Sequence, residues 1–250
     1  MVNTYAIVTA RNASTRLPDK MIKTICGKKS VEITIERAKL TGFPVILATS
    51  TDHSDDIFEH ISKTADIEIY RGALLNKLKR WKGCFHSFSI DNALLIDGDD
   101  LLYDYDIGKR AIQQLESCDA DMIVHPENII CGFFTYAMSQ KAFEKLAPYT
   151  EDEQLDTDVI VAFLKKSQLI MKPINLYDWE QNRNFRLTLD YMEDLMMFDS
   201  LISQTGYKAS GQKIVHFLEN HPEIVQMNSH RQADFLNNQQ RFNQKLFIHN

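Results

Sequence analysis

The chain opens on a short apolar run, Tyr5-Ala6-Ile7-Val8, that passes without a break into the polar loop Thr9-Ala10-Arg11-Asn12-Ala13-Ser14-Thr15-Arg16-Leu17-Pro18-Asp19-Lys20. The run has the length and β-branched content of a buried strand. Arg11, Arg16 and Lys20 fall within ten residues. Three cations on the loop after a first strand repel one another unless an anion sits between them. In an α/β sheet, the crevice beyond the carboxyl ends of the strands is where ligands bind. Charge and position together give a polyphosphate clamp; charge spacing alone also fits a solvated basic surface, because exposed Lys and Arg are the norm.

The next segments decide the fold class. Ser30 is placed to cap a helix whose apolar positions Val31, Ile35 and Ala38 share one face, and Gly42 and Pro44 stop it. A second buried-strand run covers residues 45–50. Asp52, Ser54, Asp55 and Asp56 then open a helix with Ser54 as its cap and Ile57, Phe58 and Ile61 on its buried side. Strand, helix, strand, helix at this spacing predicts α/β architecture: a mostly parallel sheet flanked by helices, with right-handed crossovers. A short strand over 67–70 ends in Arg71-Gly72, and a helix over 74–86 carries Leu75, Leu78 and Trp81.

Further along, Asn92-Ala93-Leu94-Leu95-Ile96 runs straight into Asp97-Gly98-Asp99-Asp100. Several carboxylates at one strand end are costly without a cation or donors to compensate them. Mg²⁺ takes oxygen ligands and keeps waters, so one or two carboxylates plus substrate phosphates suffice to hold it. The remaining pattern predicts a helix over 107–115, a strand over 121–124 and a strand over 129–136 that reverses direction. Helices follow over 139–147 and 159–164. His125 beside Pro126 reads as structural, and Glu151, Asp152, Glu153 and Asp156 as an exposed loop. Arg186-Leu187-Thr188-Leu189 reads as a strand ending at Asp190. Asp190 and Glu193 have the spacing of an Asp-headed capping box for the helix carrying Leu195 and Phe198.

At 250 residues the chain is long enough for one large α/β domain, expected over 1–228, with an Asn- and Gln-rich arm over 229–250. The net charge of −6 argues against a nucleic-acid partner. Cys26, Cys84, Cys118 and Cys131 form no C-x-x-C pair, which predicts reduced thiols and a cytoplasmic setting. No apolar run approaches the roughly 20 residues of a membrane span, and the first residues lack a signal-peptide core.

Ala10-Arg11-Asn12-Ala13-Ser14-Thr15-Arg16-Leu17-Pro18-Asp19-Lys20 closely resembles the A-R-x-x-S-T-R-L-P-x-K signature of cytidylyltransferases. These include the 3-deoxy-manno-octulosonate and acylneuraminate enzymes and, closest, the spore-coat polysaccharide biosynthesis family. Gly98-Asp99 resembles the strand-ending G-D step of these enzymes, and Arg186-Leu187-Thr188-Leu189-Asp190 with Glu193-Asp194-Leu195 resembles the spore-coat R-L-T-x-D-x-x-E-D-L element. Two departures stand out. Asp19 occupies a position where those families usually place glycine, and Asp100-Leu101 replaces a proline-containing segment.

The resemblance implies the nucleotide-diphospho-sugar transferase fold, which is glycosyltransferase-A-like and Rossmann-like. It also implies Mg²⁺-dependent transfer of CMP from CTP to a sugar acid. Arg11, Arg16 and Lys20 would grip the triphosphate, Thr9, Ala10, Ser14, Arg71 and Gly98 would lie beside the nucleotide, and Asp99 and Asp190 would ligate the metal. A homodimer is expected. Alternatives at this stage are a phosphate or phosphonate acceptor giving a CDP-linked product, a glycosyltransferase using Asp97-Gly98-Asp99 as its D-x-D triplet, or a non-catalytic nucleotide-binding module.

Overall fold

The computed structural model of the chain describes residues 2–181, 183–234 and 237. The first apolar run forms β1 (Thr4–Thr9), an interior strand of a seven-stranded sheet. A small antiparallel hairpin, β2 (Thr24–Ile25) and β3 (Lys28–Lys29), turns at Cys26 and Gly27, both with positive φ. It leads into α1 (Ser30–Lys39). Then come β4 (Val45–Ser50), α2 (Ile57–Ala65), β5 (Glu68–Gly72), α3 (Lys77–Ser87) and β6 (Asn92–Asp97), the crossovers anticipated from their spacing. After α4 (Tyr105–Ser117) the chain adds β7 (Met122–Val124), β8 (Tyr136–Ser139), α5 (Ala142–Lys145), α6 (Val161–Lys166) and β9 (Met171–Pro173). It closes with α7 (Met192–Thr205), α8 (Gly211–Asn220) and α9 (Pro222–Gln226).

The sheet order is β5-β4-β1-β6-β8-β7-β9. Neighbours pair in parallel except on the two sides of β8, which alone among the described strands of this sheet runs the other way. Strand alternation divides the interior between the two faces of the sheet. Ala6, Val8, Leu94 and Ile96 pack with α1, α2 and α4, while Ile7, Ala93 and Leu95 pack with Trp81 of α3 and Phe143 and Phe163 beyond it. Each fully buried Val, Leu, Ile or Phe side chain among them contributes roughly 1.5–3 kcal/mol. Both faces are covered, which explains why the central strands read as continuous apolar runs.

Several elements differ from expectation for local reasons. Ser30 is the first helical residue, not the cap, because its hydroxyl donates to the Lys20 carbonyl. Asp52, not Ser54, accepts the capping hydrogen bond, from Ser54 N at 2.9 Å, and heads a short 3₁₀ turn before α2. Asn76 caps α3 by accepting from Lys79 N, so that helix starts later than 74. The strand expected over 129–136 is displaced to β8. Gly132 sits at φ 86° with its Cα so close to Leu187 that an added Cβ would lie 2.0 Å from that carbonyl oxygen, which takes the chain off a strand path. The helix expected over 139–147 shrinks to α5 and a 3₁₀ turn, since residues 136–139 are used by β8.

The four cysteines are unpaired. Among the described residues no helix is long and apolar enough to cross a membrane. Most of the arm expected over 229–250, including Phe235, Phe242 and Leu246, lies outside the described residues.

Asp19 adopts φ 57° and ψ 28°, in the left-handed region, at the position where the resembling families carry glycine. Asp tolerates this conformation better than most L-residues, and Asn12 donates to its carboxylate at 3.2 Å. Asp19→Gly is therefore expected to fold with stability within about 1 kcal/mol of the parent, and Asp19→Val to lose about 1–2 kcal/mol. Urea denaturation followed by circular dichroism measures both.

Candidate active site

The parallel register brings β1, β4 and β6 to an end at one level, with Thr9 opposite both Ala48 and Asp97. The loops that follow them meet above that edge. Gly98 N donates to Thr9 O at 2.8 Å, and an added Cβ at Gly98 would stand 2.8 Å from the same oxygen, so this crossing needs glycine. Thr34 on α1 holds the turn from below by donating to Gly98 O at 2.9 Å. The basic loop is tied down at both ends: Asn12 N donates to Asp55 Oδ1 at 2.7 Å, and Lys20 O receives the Ser30 hydroxyl.

These ties turn Lys20 inward. Its ammonium, on a residue 8% exposed, bridges Asp99 Oδ2 at 2.5 Å and Asp190 Oδ1 at 3.0 Å. Arg16 pairs with the same Asp190 oxygen. The other Asp190 oxygen meets Arg186 Nη2 at 3.0 Å. Arg186 is fixed in turn by Asp194 at 3.0 Å. Asp194 Oδ2 also accepts from the backbone of Asp190 and Tyr191 at 2.8 and 2.9 Å, so Asp194 rather than Glu193 caps α7. Asn228 donates to Asp194 Oδ1 at 2.9 Å. Leu189 N donates to Asp99 O at 2.9 Å, stitching the two acidic segments together through the main chain.

Electrostatics follow from this geometry. Burial alone would raise the Asp190 carboxyl, but Lys20 and Arg16 hold it well below the usual carboxylate range. Burial would lower the Lys20 ammonium, and Asp99 and Asp190 instead raise it. Asp99 is pushed up, by burial first, against the pull of Lys20. Asp100 is pushed up by burial and by its neighbour Asp99, and it accepts from Thr135 Oγ1 at 3.3 Å.

On one side of the Lys20 bridge lies a cleft of about 400 Å³ lined by the basic loop together with Lys77, Arg80, Asp97 and Asp158. Arg11, Ser14, Arg16 and Lys20 all line it. On the other side, a cavity of about 710 Å³ runs past Asp99 and Asp190 to His125, Glu127, Phe134 and Asn184. His125 lines this second cavity, and burial pushes its pKa below the ordinary imidazole value.

Not every anticipated residue joins. Arg71 is absent from the lining of both cavities; its guanidinium binds Glu59, Asp56 at 2.7 Å and the carbonyls of Ser50 and Asp52 at the far side of β4. Thr9 O and Ala10 N are committed to Gly98 N and Ala48 O, and Thr9 Oγ1 accepts from Trp81 Nε1 at 2.8 Å. Thr9 nevertheless lines the 400 Å³ cleft beside the basic loop. The structure adds Lys77 and Arg80 to the cleft and Arg186 and Asp194 behind Asp190, none of which a local pattern marks as a site residue. Lys77 and Arg80 stand three apart on one face of α3, a spacing that marks a common direction only once that face is known to meet the cleft.

A sequence profile described as Cytidylyltransferase matches residues 5–238. The chain belongs to the cytidylyltransferase family. Members of this family are nucleotidyltransferases. The spore coat polysaccharide biosynthesis protein SpsF of Bacillus subtilis is 22% identical over 240 residues, covering 91% of this chain and 98% of that protein. A cytidylyltransferase from Leptospira borgpetersenii superposes with a TM-score of 0.80 at 21% identity, over 90% of this chain and 98% of that one. A CMP:2-keto-3-deoxy-manno-octonic acid synthetase complexed with CTP superposes with a TM-score of 0.62 at 15% identity, over 80% and 98%. These likenesses establish the nucleotide-diphospho-sugar transferase fold.

The family raises the question of a divalent ion. Among the described residues no group of three or more His, Cys, Asp or Glu side chains is gathered to hold a metal. Asp99 and Asp190 nevertheless present two oxygens to one point, and the Lys20 ammonium standing between them is a cation in that position. Such a two-carboxylate set suits Mg²⁺, whose remaining ligands are waters and phosphate oxygens. Asp194→Ala removes the carboxylate that pairs buried Arg186 and caps α7. The expected cost is about 3–5 kcal/mol in chemical denaturation, as for any broken buried ion pair.

Proposed function

We propose that the protein transfers CMP from CTP to a hydroxyl of a sugar acid, releasing pyrophosphate, with Mg²⁺ as its cofactor, in the assembly of a surface polysaccharide. The observation that carries this reading is the Lys20 bridge between Asp99 and Asp190 at the meeting point of the two cavities. One cavity is rimmed by the basic loop, as a triphosphate requires. In the other, Arg16 is the sole Lys or Arg among the described lining residues, which also include Asp97, Asp100 and Glu127. A single carboxylate finds its partner there, whereas a phosphate or phosphonate would meet mostly acidic neighbours. This favours a sugar acid over a CDP-linked product.

The acceptor oxygen attacks the α-phosphorus, the bond between the α-phosphorus and its bridging oxygen to the β-phosphate breaks, and the hydroxyl proton leaves to solvent. Little covalent chemistry falls to the protein, so positioning and charge stabilisation dominate. Arg11 gives directed contacts to phosphate oxygens, Lys20 gives a point charge, and Arg16, which lines both cavities, stands between the phosphates and the acceptor carboxylate. Asp99 and Asp190 would hold the metal, and Lys20, which they bind here, would then be available to the phosphates. Bound Mg²⁺ supplies polarisation of the α-phosphate and a lower pKa for the acceptor hydroxyl.

Calorimetric titration with CTP, UTP, ATP and GTP, each with and without Mg²⁺, tests the reading. Selective, Mg²⁺-enhanced CTP binding is expected; binding of no nucleotide, or preference for a UDP-sugar, overturns it. Lys20→Ala is expected to weaken CTP binding by about tenfold or more. Asp99→Asn is expected to reduce pyrophosphate release on the order of 10²–10³-fold while the thermal transition is retained. Near-parent turnover by Asp99→Asn removes that carboxylate from metal binding.

A further inference from the structure

Arg80 is 1% exposed, yet it makes no ion pair among the described residues. Its Nη1 donates to Ala73 O at 2.7 Å and Leu74 O at 3.3 Å, and its Nε is buried without any partner. A buried guanidinium left short of an anion is expensive. Arg37, equally buried and without an ion pair among the described residues, also leaves one nitrogen, Nη2, without a partner. It makes three bonds of 2.8 Å, to the carbonyls of Tyr103, Tyr207 and Ala209, rests over the Tyr105 ring and lines neither cavity, so what sets Arg80 apart is its position. Arg80 instead lines the cleft beside the basic loop.

Arg80 is also crowded by its own kind. Arg11 Nη1 donates at 2.8 Å to Leu74 O, the carbonyl that Arg80 shares. Burial, and then Arg11, push the Arg80 pKa down to about 10. Among the carboxylates that offset this crowding is Asp158, whose side chain is 52% exposed on the acidic loop that follows Glu151 and whose Oδ1 lies 3.0 Å from Arg11 Nη2. Desolvation alone would raise the Asp158 carboxyl, but Arg11, Lys77, Arg80 and Lys20 hold it below its ordinary value. A carboxylate of the protein thus sits in the field of four cations, while Arg80 itself is left without direct contact to it.

We infer that Arg80 is a phosphate-binding residue of the cleft, forming with Arg11 and Lys77 a seat for the terminal phosphates of the nucleotide, and that Asp158 occupies this seat as an internal anion which the phosphates displace. The inference rests on reading the cleft as the triphosphate site. Arg80 gains the charged partner it lacks, and a half-exposed carboxylate at the cleft mouth is the group able to swing out.

The test is calorimetry with inorganic tripolyphosphate, without Mg²⁺, so that neither the base nor the metal site contributes. Arg80→Gln is expected to weaken tripolyphosphate binding about tenfold or more, Arg80→Lys to restore part of it, and Asp158→Asn to tighten it severalfold. Binding of cytidine should stay at the parent value in all three. Tripolyphosphate affinity unchanged in Arg80→Gln overturns the inference. If that variant does not fold, Asp158→Asn decides alone, and unchanged affinity there overturns it equally. Loss of cytidine binding with tripolyphosphate binding intact would make Arg80 a reader of the base and also overturn it. A parent protein that binds tripolyphosphate in this Arg80-dependent way but shows no preference for CTP overturns the proposed function and leaves the seat standing.

Discussion

Lys20 carries a charge that the interior tolerates only because two carboxylates reach it from segments far apart in sequence, Asp99 after β6 and Asp190 before α7. Almost every unusual feature around the site serves that convergence. The Ser30 hydroxyl holds the Lys20 backbone, Gly98 lets β1 and β6 touch, and Leu189 binds the main chain of Asp99. Arg186 and Asp194 form a second layer that keeps Asp190 aimed at the ammonium. Buried charges of this kind contribute little net stability, and removing one member is costly because its partner is then left uncompensated.

The division of labour across the sheet follows from one reversal. The parallel half, β5-β4-β1-β6, collects its loops at one edge and supplies the cations. Beyond β6, the antiparallel β8 interrupts that regularity. The irregular chain between β7 and β8 then lies beside Asp99 and lines the second cavity with His125, Glu127 and Phe134. Of the two departures from the resembled motifs, Asp19 lies in the regular half and Asp100-Leu101 stands where the irregular half begins.

The central strands were legible because burial on both faces writes itself as an unbroken apolar run, and the helices because their apolar spacing repeats. The basic loop, Asp99 and Asp190 were legible through ordered motifs. The remainder depended on geometry that no local pattern carries. The apolar run through Phe133 and Phe134 looks like a strand until Gly132 is forced against Leu187. Arg71 looks like a ligand residue until Asp56 and Glu59 are seen to claim it. Arg80 resembles any basic helix residue, and only the packing of α3 under Ala73 and Leu74 reveals that it is buried short of an anion. Asp194 displaced Glu193 as the cap because Arg186 required a carboxylate at that point.

The hydrogen bond from Leu189 N to Asp99 O also bears on how the protein is made. A ribosome delivers the sheet centre first, so β1, β4 and β6 can assemble while the segment carrying Asp190 is still being translated. Until that segment docks, Lys20 has one carboxylate partner where the finished protein gives it two, and Arg16 lacks its own. Contacts spanning most of the chain form late because the intervening chain must be ordered first. The acidic pair is therefore completed by the last third of the polypeptide, and a truncated nascent chain carries the basic loop without the means to use it.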